Sequence, residues 1–371
     1  MTTANILSQL GSPGVSTGFK NRIINGAMTI SQRDGTSSVT PTSGIYTLDR
    51  WQAVLTVASK YSVQQNAGSV TPPTGFTNYL GVTSLSAYSV GVSDTFAVLQ
   101  LIEGYNTADL AWGTANAKTV TLSFWVRSSL TGTFGGSFYN GTANRSYLFS
   151  FSVNAANTWE QKTITVAGDT TGTWATDSSA GIGIRFGLGS GSTFSGTAGA
   201  WAAANLVQPT GTVSVVGTNG ATFYITGVQL EVGTTATNFD VRSYGTELQL
   251  AQRYFCKSSS TNVVAVNNTA FNTTGMFTSG VVSTYTTDAG YINWIKYPVT
   301  MRTEVATVTF INTSLPSPGT SGQLSVYNGS AWINTNTIAT QSSTTEGFNA
   351  SISFSGTAYM YYGAWTASAE L

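Results

Sequence analysis

The stretch Thr119-Val-Thr-Leu-Ser-Phe-Trp-Val-Arg127 decides the fold, because apolar and polar side chains alternate along it. Successive side chains of a β-strand point to opposite faces of the sheet. One face of this strand carries Val120, Leu122, Phe124 and Val126. The opposite face carries Thr119, Thr121, Ser123 and Arg127. The pattern predicts a half-buried antiparallel strand, with the large ring of Trp125 placed on its polar face.

The same alternation recurs further along the chain, in Tyr147–Val153 and Ile182–Leu188. In Ala221–Leu230 the alternation changes phase, and Gly227 at the change predicts a β-bulge. Glycine-rich turns separate these segments, and no helical pattern lies between them. The sequence therefore predicts an all-β fold, an antiparallel β-sandwich of the jelly-roll type.

Four parts are predicted along the chain. They are an N-terminal arm over residues 1–26, a jelly-roll domain over 27–240, a connecting helix over 241–257 and a second, smaller β domain over 258–371. Within the connecting segment, Glu247–Phe255 is rich in helix formers, and Leu248, Ala251 and Phe255 share one apolar face. So short a helix is unstable alone, so we expect this face to pack at the joint between the two β domains.

Charge is scarce: charged residues make up 8% of the chain, against roughly 25% in a typical soluble domain. Fifteen basic residues balance fifteen acidic ones without a basic stripe, which argues against nucleic acid or an anionic membrane surface as a partner. No apolar run is long enough for membrane insertion, and Met1–Leu10 lacks the pattern of a secretory signal. A near-neutral surface favours association within an assembly.

The chain contains no histidine and a single cysteine, Cys256, which excludes a Ser-His-Asp triad and a thiolate zinc site. A pair of carboxylates, as in glycosidases, is the remaining catalytic option. The fifteen acidic residues are scattered without a close pair, so we expect no catalytic residues and no enzyme. Asp169 and Asp177 flank Trp174 in a Ser/Thr/Gly loop, where a structural Ca²⁺ is the alternative to solvated loop positions; no other cofactor is expected.

Aromatic residues are the class most informative about function. Sugars present apolar C–H faces to aromatic rings, and neutral Asn, Gln, Ser and Thr side chains supply hydrogen bonds to their hydroxyls. The candidate carbohydrate-binding residues are Tyr105, Trp112, Trp125, Tyr139, Trp174 and Trp201. The alternative for each is a place in the core or at a subunit interface.

A series of strings occurs in a characteristic order along the chain. They are Asn21–Arg33, Tyr46–Trp51, Val120–Arg127, Phe223–Gly233 with Ala236–Phe239, Glu247–Phe255, Tyr297–Arg302 and Trp365–Leu371. Together they resemble a family of phage virion proteins described as tail fibre or virion structural proteins. Phe223–Phe239 is similar to the closing strand of the carbohydrate-binding jelly-roll modules in such proteins, and Glu247–Phe255 looks like the helix that ends the module.

The resemblance implies a galactose-binding-like jelly roll, a homotrimer and a location in the virion after synthesis in the host cytoplasm. The arm would dock on other virion proteins of the baseplate, tail or capsid, and the C-terminal domain would be the distal tip. Leu248, Ala251 and Phe255 are then candidate oligomer contacts. The charged residues inside the strings, among them Arg33, Asp49, Arg50 and Arg253, are expected to form buried or interface ion pairs instead of a ligand site.

Several functions stay open from the sequence. The leading hypothesis is a tail fibre or spike that attaches the phage to polysaccharide on the host cell surface. A head fibre or capsid decoration protein of the same fold is the first alternative. A polysaccharide depolymerase is the second, and a secreted bacterial lectin module is disfavoured by the missing signal pattern.

Overall fold

The computed structural model describes residues 20–260, 264, 277–279, 289–305, 308–312, 322–327, 330–334, 337–353 and 360–371. Met1–Phe19, most of the predicted arm, lie outside these residues. The last part of the arm is described and is not extended away from the body. Ile23, Ile24 and Asn25 are buried, and the Arg22 backbone N–H donates to the Leu230 carbonyl oxygen at 2.9 Å. A docking role for the arm stays a prediction.

The first part of the chain folds into a sandwich of two sheets. Its strands are β1 (Gln52–Leu55), β2 (Tyr61–Gln65), β3 (Leu80–Ser84), β4 (Thr95–Glu103), β5 (Val120–Ser128), β6 (Gly132–Asn140), β7 (Ser146–Val153), β8 (Glu160–Val166), β9 (Ala180–Ser190), β10 (Ser195–Gly196), β11 (Trp201–Ala202), β12 (Gln208–Pro209) and β13 (Thr222–Val232). One sheet has the order β1-β4-β9-β6-β7-β11, and the other has the order β2-β3-β13-β5-β8. Pairing within both sheets is antiparallel, which confirms the predicted sandwich.

The core lies between the two sheets and is filled by the predicted stripes. Val120, Leu122, Phe124 and Val126 of β5 are all fully buried. Phe124 packs edge-to-face against Phe151 of β7 and Phe186 of β9, with ring centroids 5.1 and 5.0 Å apart. Burying such a side chain contributes about 1.5–3 kcal/mol, so these inward-facing aromatics hold the sheets together.

The phase change in β13 is the predicted bulge. The register against β5 shifts between Thr226 and Gln229, and Gly227 has a positive φ of 60°. Glycine is favoured in this left-handed region because it has no Cβ. The bulge lets both halves of β13 bury apolar residues despite their opposite parity.

One α-helix, α1 (Tyr244–Gln252), follows the sandwich among the described residues. It begins three residues before the predicted start, because the Ser243 hydroxyl accepts a hydrogen bond from the Thr246 backbone N–H and caps it. It ends at Gln252 and not at the predicted Phe255, because Phe255 begins β14 (Phe255–Lys257) and pairs with Ser368. No described helix has the length and apolar character needed to span a membrane.

The rest of the described chain is again antiparallel β-structure. After β14 come β15 (Phe277–Ser279), β16 (Ala289–Lys296), β17 (Val308–Ile311), β18 (Ser325–Tyr327), β19 (Trp332–Asn334), β20 (Thr337–Ser343), β21 (Gly347–Ser353) and β22 (Met360–Ser368). β22 pairs with β14, β15, β17 and β18, and a separate sheet has the order β16-β21-β20. A second core contains Cys256, Met301, Phe310, Phe348 and Trp365. The fold class of this part therefore agrees with the prediction of a second, smaller set of β-strands after the helix.

Buried ion pairs join the two β parts. Glu370 near the C-terminal end pairs with Arg33, at 2.9 Å, and with Arg50 of the first part. Glu103 of β4 pairs with Arg253 at 2.7 Å and accepts a hydrogen bond from the Tyr254 hydroxyl at 2.8 Å. The expectation that Arg33, Arg50 and Arg253 form ion pairs is confirmed, and the Arg253 side chain is 31% exposed while the other two are largely buried.

Candidate functional site

Three of the candidate tryptophans meet in one cluster. The ring centroid of Trp112 lies 4.8 Å from that of Trp174 and 5.3 Å from that of Trp201, and both contacts are edge-to-face. Their indole N–H groups donate to the carbonyl oxygens of Lys118, Thr171 and Ala167. The polar part of each indole is therefore already used within the chain.

A cavity of about 270 Å³ adjoins this cluster, and small apolar side chains such as Ala108, Ala111 and Ala175 line much of it. The Thr107 and Thr114 hydroxyls at its edge donate to the Gly104 and Ala111 carbonyl oxygens. Few polar groups are left to recognise a sugar there. The cluster is better explained as packing that closes one end of the sandwich.

The two candidate tyrosines lie in contrasting surroundings. Tyr105 is 64% exposed on the short turn Gly104–Asn106. Tyr139 is buried beneath the guanidinium of Arg185, whose Cζ lies 3.6 Å from the ring centroid. Burial raises the pKa of Tyr139 above its ordinary value. The structure does not bring either tyrosine into contact with a second candidate ring.

Trp125 lines a groove on the outer face of the five-stranded sheet, here called the Trp125 groove. Its cavity volume is about 280 Å³, and its lining includes Phe76, Ser123, Trp125, Gln161, Asn238 and Phe239. Ser123 and Trp125 come from β5, and Gln161 is the cross-strand neighbour of Trp125 on β8. The alternation that buries Phe124 turns these polar and aromatic side chains outward.

Two loops form the far wall of the groove, and the sheet holds both in place. The Phe76 and Phe239 rings meet edge-to-face with centroids 5.1 Å apart. The loop of Phe76 is tied down by the Thr226 hydroxyl, which donates to the Asn78 carbonyl oxygen at 2.7 Å. The loop of Phe239 is held by Glu231, whose carboxylate accepts from the Thr237 backbone N–H at 2.9 Å.

The polar groups of the Trp125 groove are free within the described chain. Six tryptophans lie in residues 20–240, and five of them donate their indole N–H to a backbone carbonyl oxygen. The exception is Trp125. The Ser123 hydroxyl and the side-chain amides of Gln161 and Asn238 likewise have no hydrogen-bond partner among the described residues. Four neutral polar groups and three aromatic rings thus converge on one groove whose lining includes no charged residue.

The two residues predicted to bind calcium have other partners. Asp169 accepts bidentate hydrogen bonds from Arg145 at 2.7 and 2.8 Å. Burial acts to raise the pKa of Asp169, but the bonds from Arg145 and Thr171 outweigh it and lower the pKa. A backbone N–H bond from Ser179 lowers the pKa of Asp177. Arg145 thus supplies a counter-charge to Asp169, and the described residues contain no group of three metal-ligating side chains.

The three residues predicted to share one apolar helix face pack within the chain. Ala251 is fully buried against Ile24 and Ile30, Leu248 is half-buried beside them, and Phe255 is buried beneath the guanidinium of Arg33. These contacts account for the apolar character of the face without a second subunit. Its role as an oligomer contact stays a prediction.

No protein-family model and no curated protein sequence matches the chain. Among solved structures, it is similar to the enzymatically active domain of tailspike protein 4 of bacteriophage CBA120, with 12% identity, a TM-score of 0.32 and coverage of 57% of this chain and 21% of that chain. A putative sugar-binding protein from Bacteroides thetaiotaomicron has 11% identity and a TM-score of 0.33, covering 58% of this chain and 100% of that chain. A family 11 carbohydrate-binding module from Clostridium thermocellum, in complex with a mixed-linked tetrasaccharide, has 12% identity and a TM-score of 0.28, covering 53% and 96%.

The matched region of this chain thus spans about a fifth of the tailspike chain and nearly all of the two sugar-binding chains. At these identities and TM-scores, the likeness does not bear on what this chain binds. The sandwich is established by its own strand pairing, and the case for a ligand depends on the Trp125 groove.

Proposed function

We propose that this chain is a carbohydrate-binding structural protein of a phage particle, and that its jelly roll binds uncharged glycan of the host cell surface in the Trp125 groove. The observation that carries the proposal is the free indole N–H of Trp125 beside the free amide of Gln161. An aromatic ring with a free donor and a neighbouring amide can stack on the C–H face of a sugar and hydrogen-bond its hydroxyls.

The absence of charge in the groove favours neutral ligands. Its lining residues include no acidic or basic side chain. The hydroxyls of a neutral sugar can exchange their bonds to water for bonds to the free polar groups of the groove, whereas an anionic sugar would lose its larger hydration energy without gaining a cation. The lining also lacks the pair of carboxylates that glycoside hydrolysis requires, which supports binding without catalysis at this groove.

The phage part of the proposal rests on the resemblance of the ordered sequence strings to virion proteins. A tail fibre or spike built as a homotrimer would present several copies of the groove to one cell surface. Linked copies bind a repetitive surface more strongly than one copy does, because later contacts form at a high effective concentration. Weak individual grooves would therefore suffice for attachment.

The direct test is binding of neutral oligosaccharides. Host cell-surface polysaccharides and a glycan array would identify a ligand, and titration calorimetry would measure its affinity for the full chain. We expect Trp125→Ala to weaken binding at least tenfold, because it removes the central ring of the site. Trp125→Phe keeps a ring but loses the indole donor, and should weaken binding by about three- to tenfold, the effect of one hydrogen bond.

The matched control is Tyr105→Ala, which removes an exposed ring outside the groove and should leave the affinity unchanged. Equal affinities of the wild type and Trp125→Ala would refute the groove as the site. Cryo-electron microscopy of the particle tests the virion role separately. Threefold copies at the tail or baseplate would support a fibre or spike, and copies spread over the capsid lattice would indicate a decoration protein.

A further inference from the structure

A second polar site lies on the outer face of the six-stranded sheet, away from the Trp125 groove. Arg185 of β9 is only 8% exposed and stacks on the ring of Tyr139. Gly183 makes this stacking possible, since a Cβ there would lie 2.1 Å from the Tyr139 ring. A chain segment containing Asn205 crosses this face and covers the guanidinium from above.

Only one of the three side-chain nitrogens of Arg185, Nη1, donates hydrogen bonds to described residues. Its Nη1 donates to the Asn205 side-chain oxygen at 2.8 Å and is 3.4 Å from the Leu206 carbonyl oxygen. Its Nε–H is buried without an acceptor. Both hydrogen bonds that its side chain makes to described residues come from Nη1 and none from Nη2. No described carboxylate pairs with it, whereas Arg50, the other arginine buried to this degree, pairs with Glu370. The edge formed by Nε and Nη2 therefore has no hydrogen-bond acceptor among the described residues.

Two further unpartnered atoms lie on the same face. Ser137 is the cross-strand neighbour of Arg185 on β6, and its hydroxyl oxygen is buried without a partner. Gln208 lies over Gly187, two residues from Arg185 along β9, and its Oε1 is also buried without a partner. Rotation of this amide about its terminal bond would present an N–H donor instead.

We propose that the unpartnered Nε/Nη2 edge of Arg185, together with Ser137, binds a small oxyanion group. A buried guanidinium without a counter-ion is costly, and an anion would relieve that cost. The two parallel N–H groups of this edge match a pair of oxygens on a carboxylate, phosphate or sulfate group. The stacked Tyr139 ring fixes the plane of the guanidinium and preorganises the edge. This site is independent of the proposed neutral-glycan groove, which lies on the other sheet.

The test measures thermal unfolding of the full chain with sodium acetate, glucuronate, phosphate or sulfate, compared with chloride at equal ionic strength. Near saturation we expect the binding anion to raise Tm by about 2–4 °C over chloride. A larger effect of acetate and glucuronate identifies a carboxylate ligand, and a larger effect of phosphate and sulfate identifies a tetrahedral one. Arg185→Gln should abolish the difference.

The matched control is Arg127→Gln. Arg127 lies over Tyr224 on the outer face of the other sheet, and no described carboxylate pairs with it, so this variant loses the same charge elsewhere. It should keep the wild-type response to the anion. An equal response of wild type and Arg185→Gln would overturn the proposal.

Arg185→Lys covers the case in which Arg185→Gln does not fold, because it keeps the charge but loses the two-donor edge. We expect it to weaken anion binding at least tenfold. A crystal of the full chain grown with selenate gives a direct view, because the selenium scatters anomalously. An anomalous peak against Nε and Nη2 supports the site. A water molecule bridging Arg185 and Ser137, with no anomalous peak, overturns it.

Discussion

Gly227 links the fold of β13 to the shape of the Trp125 groove. A Cβ at this position would lie 2.5 Å from the tip of the Phe76 ring, so any larger residue forces that ring to move. Its positive φ of 60° also strains any residue with a Cβ. The glycine thus serves both the bulge and the wall of the groove.

We expect Gly227→Ala to destabilise the protein by about 1–2 kcal/mol through backbone strain and to weaken oligosaccharide binding by displacing Phe76. Gly220→Ala separates the two effects, because Gly220 also has a positive φ, of 73°, but open space around its Cβ position. It should lose similar stability and keep full binding. Urea unfolding and titration calorimetry measure both quantities. Unchanged binding by Gly227→Ala would exclude Phe76 as part of the site.

At the scale of elements, the N-terminal end of α1 contains one residue that stabilises the helix and one that destabilises it. The Ser243 hydroxyl caps the helix by accepting from the Thr246 backbone N–H at 3.3 Å. Gly245 lies in the same turn with nothing within 4 Å of its Cβ position and no positive φ. Alanine would therefore fit at Gly245 without a clash.

Alanine substitutions at these two positions should have opposite signs. Ser243→Ala should lower the free energy of unfolding by about 1 kcal/mol through loss of the cap. Gly245→Ala should raise it by about 0.5–1 kcal/mol, because alanine loses less backbone entropy on entering a helix. Urea unfolding of both variants beside the wild type checks this. A Ser243→Ala variant as stable as the wild type would show that the helix terminus is not held by this cap, and a destabilised Gly245→Ala variant would contradict the entropy argument at Gly245.

The strands of the sandwich were predictable because their signal is local. Alternation within Thr119–Arg127 specifies both the buried face of β5 and the outward position of Trp125. The end of the helix at Gln252 was not predictable, because Phe255 is drawn into β14 by its pairing partner Ser368, more than one hundred residues away. The pattern of the helix continues smoothly into β14 and shows no stop signal.

The Trp125 groove was only partly predictable for the same reason. Trp125 was identified from its parity, but Phe76, Gln161 and Phe239 come from separate parts of the sequence. The only local signal for Phe76 is a large aromatic residue in the polar loop Thr74-Gly-Phe-Thr77. The sequence also places three other tryptophans, Trp112, Trp174 and Trp201, in polar loops. Their packing against one another and the hydrogen bonds of their indole N–H groups depend on the folded structure and could not be predicted from the sequence.

At the scale of the whole molecule, Glu370 connects the two β parts. Its side chain is 8% exposed and lies between Arg33 and the fully buried Arg50. Arg50 also stacks on Tyr254, with Cζ 3.6 Å from the ring centroid, and donates to the Leu101 carbonyl oxygen at 2.5 Å. The last residues of the chain are thereby held against the sandwich, and the Tyr46 hydroxyl donates to the Leu371 carbonyl oxygen at 2.8 Å.

We expect Glu370→Gln to lower the free energy of unfolding by about 3–5 kcal/mol, because it leaves Arg50 buried without a counter-ion. Asp109→Asn is the matched control, since Asp109 pairs with Arg22 at 2.6 Å but its side chain is 49% exposed. That variant should lose less than about 1 kcal/mol, because water screens an exposed pair. Differential scanning calorimetry compares the two. If Glu370→Gln shifts Tm no more than Asp109→Asn, the ion pairs of Glu370 do not stabilise the joint between the two β parts.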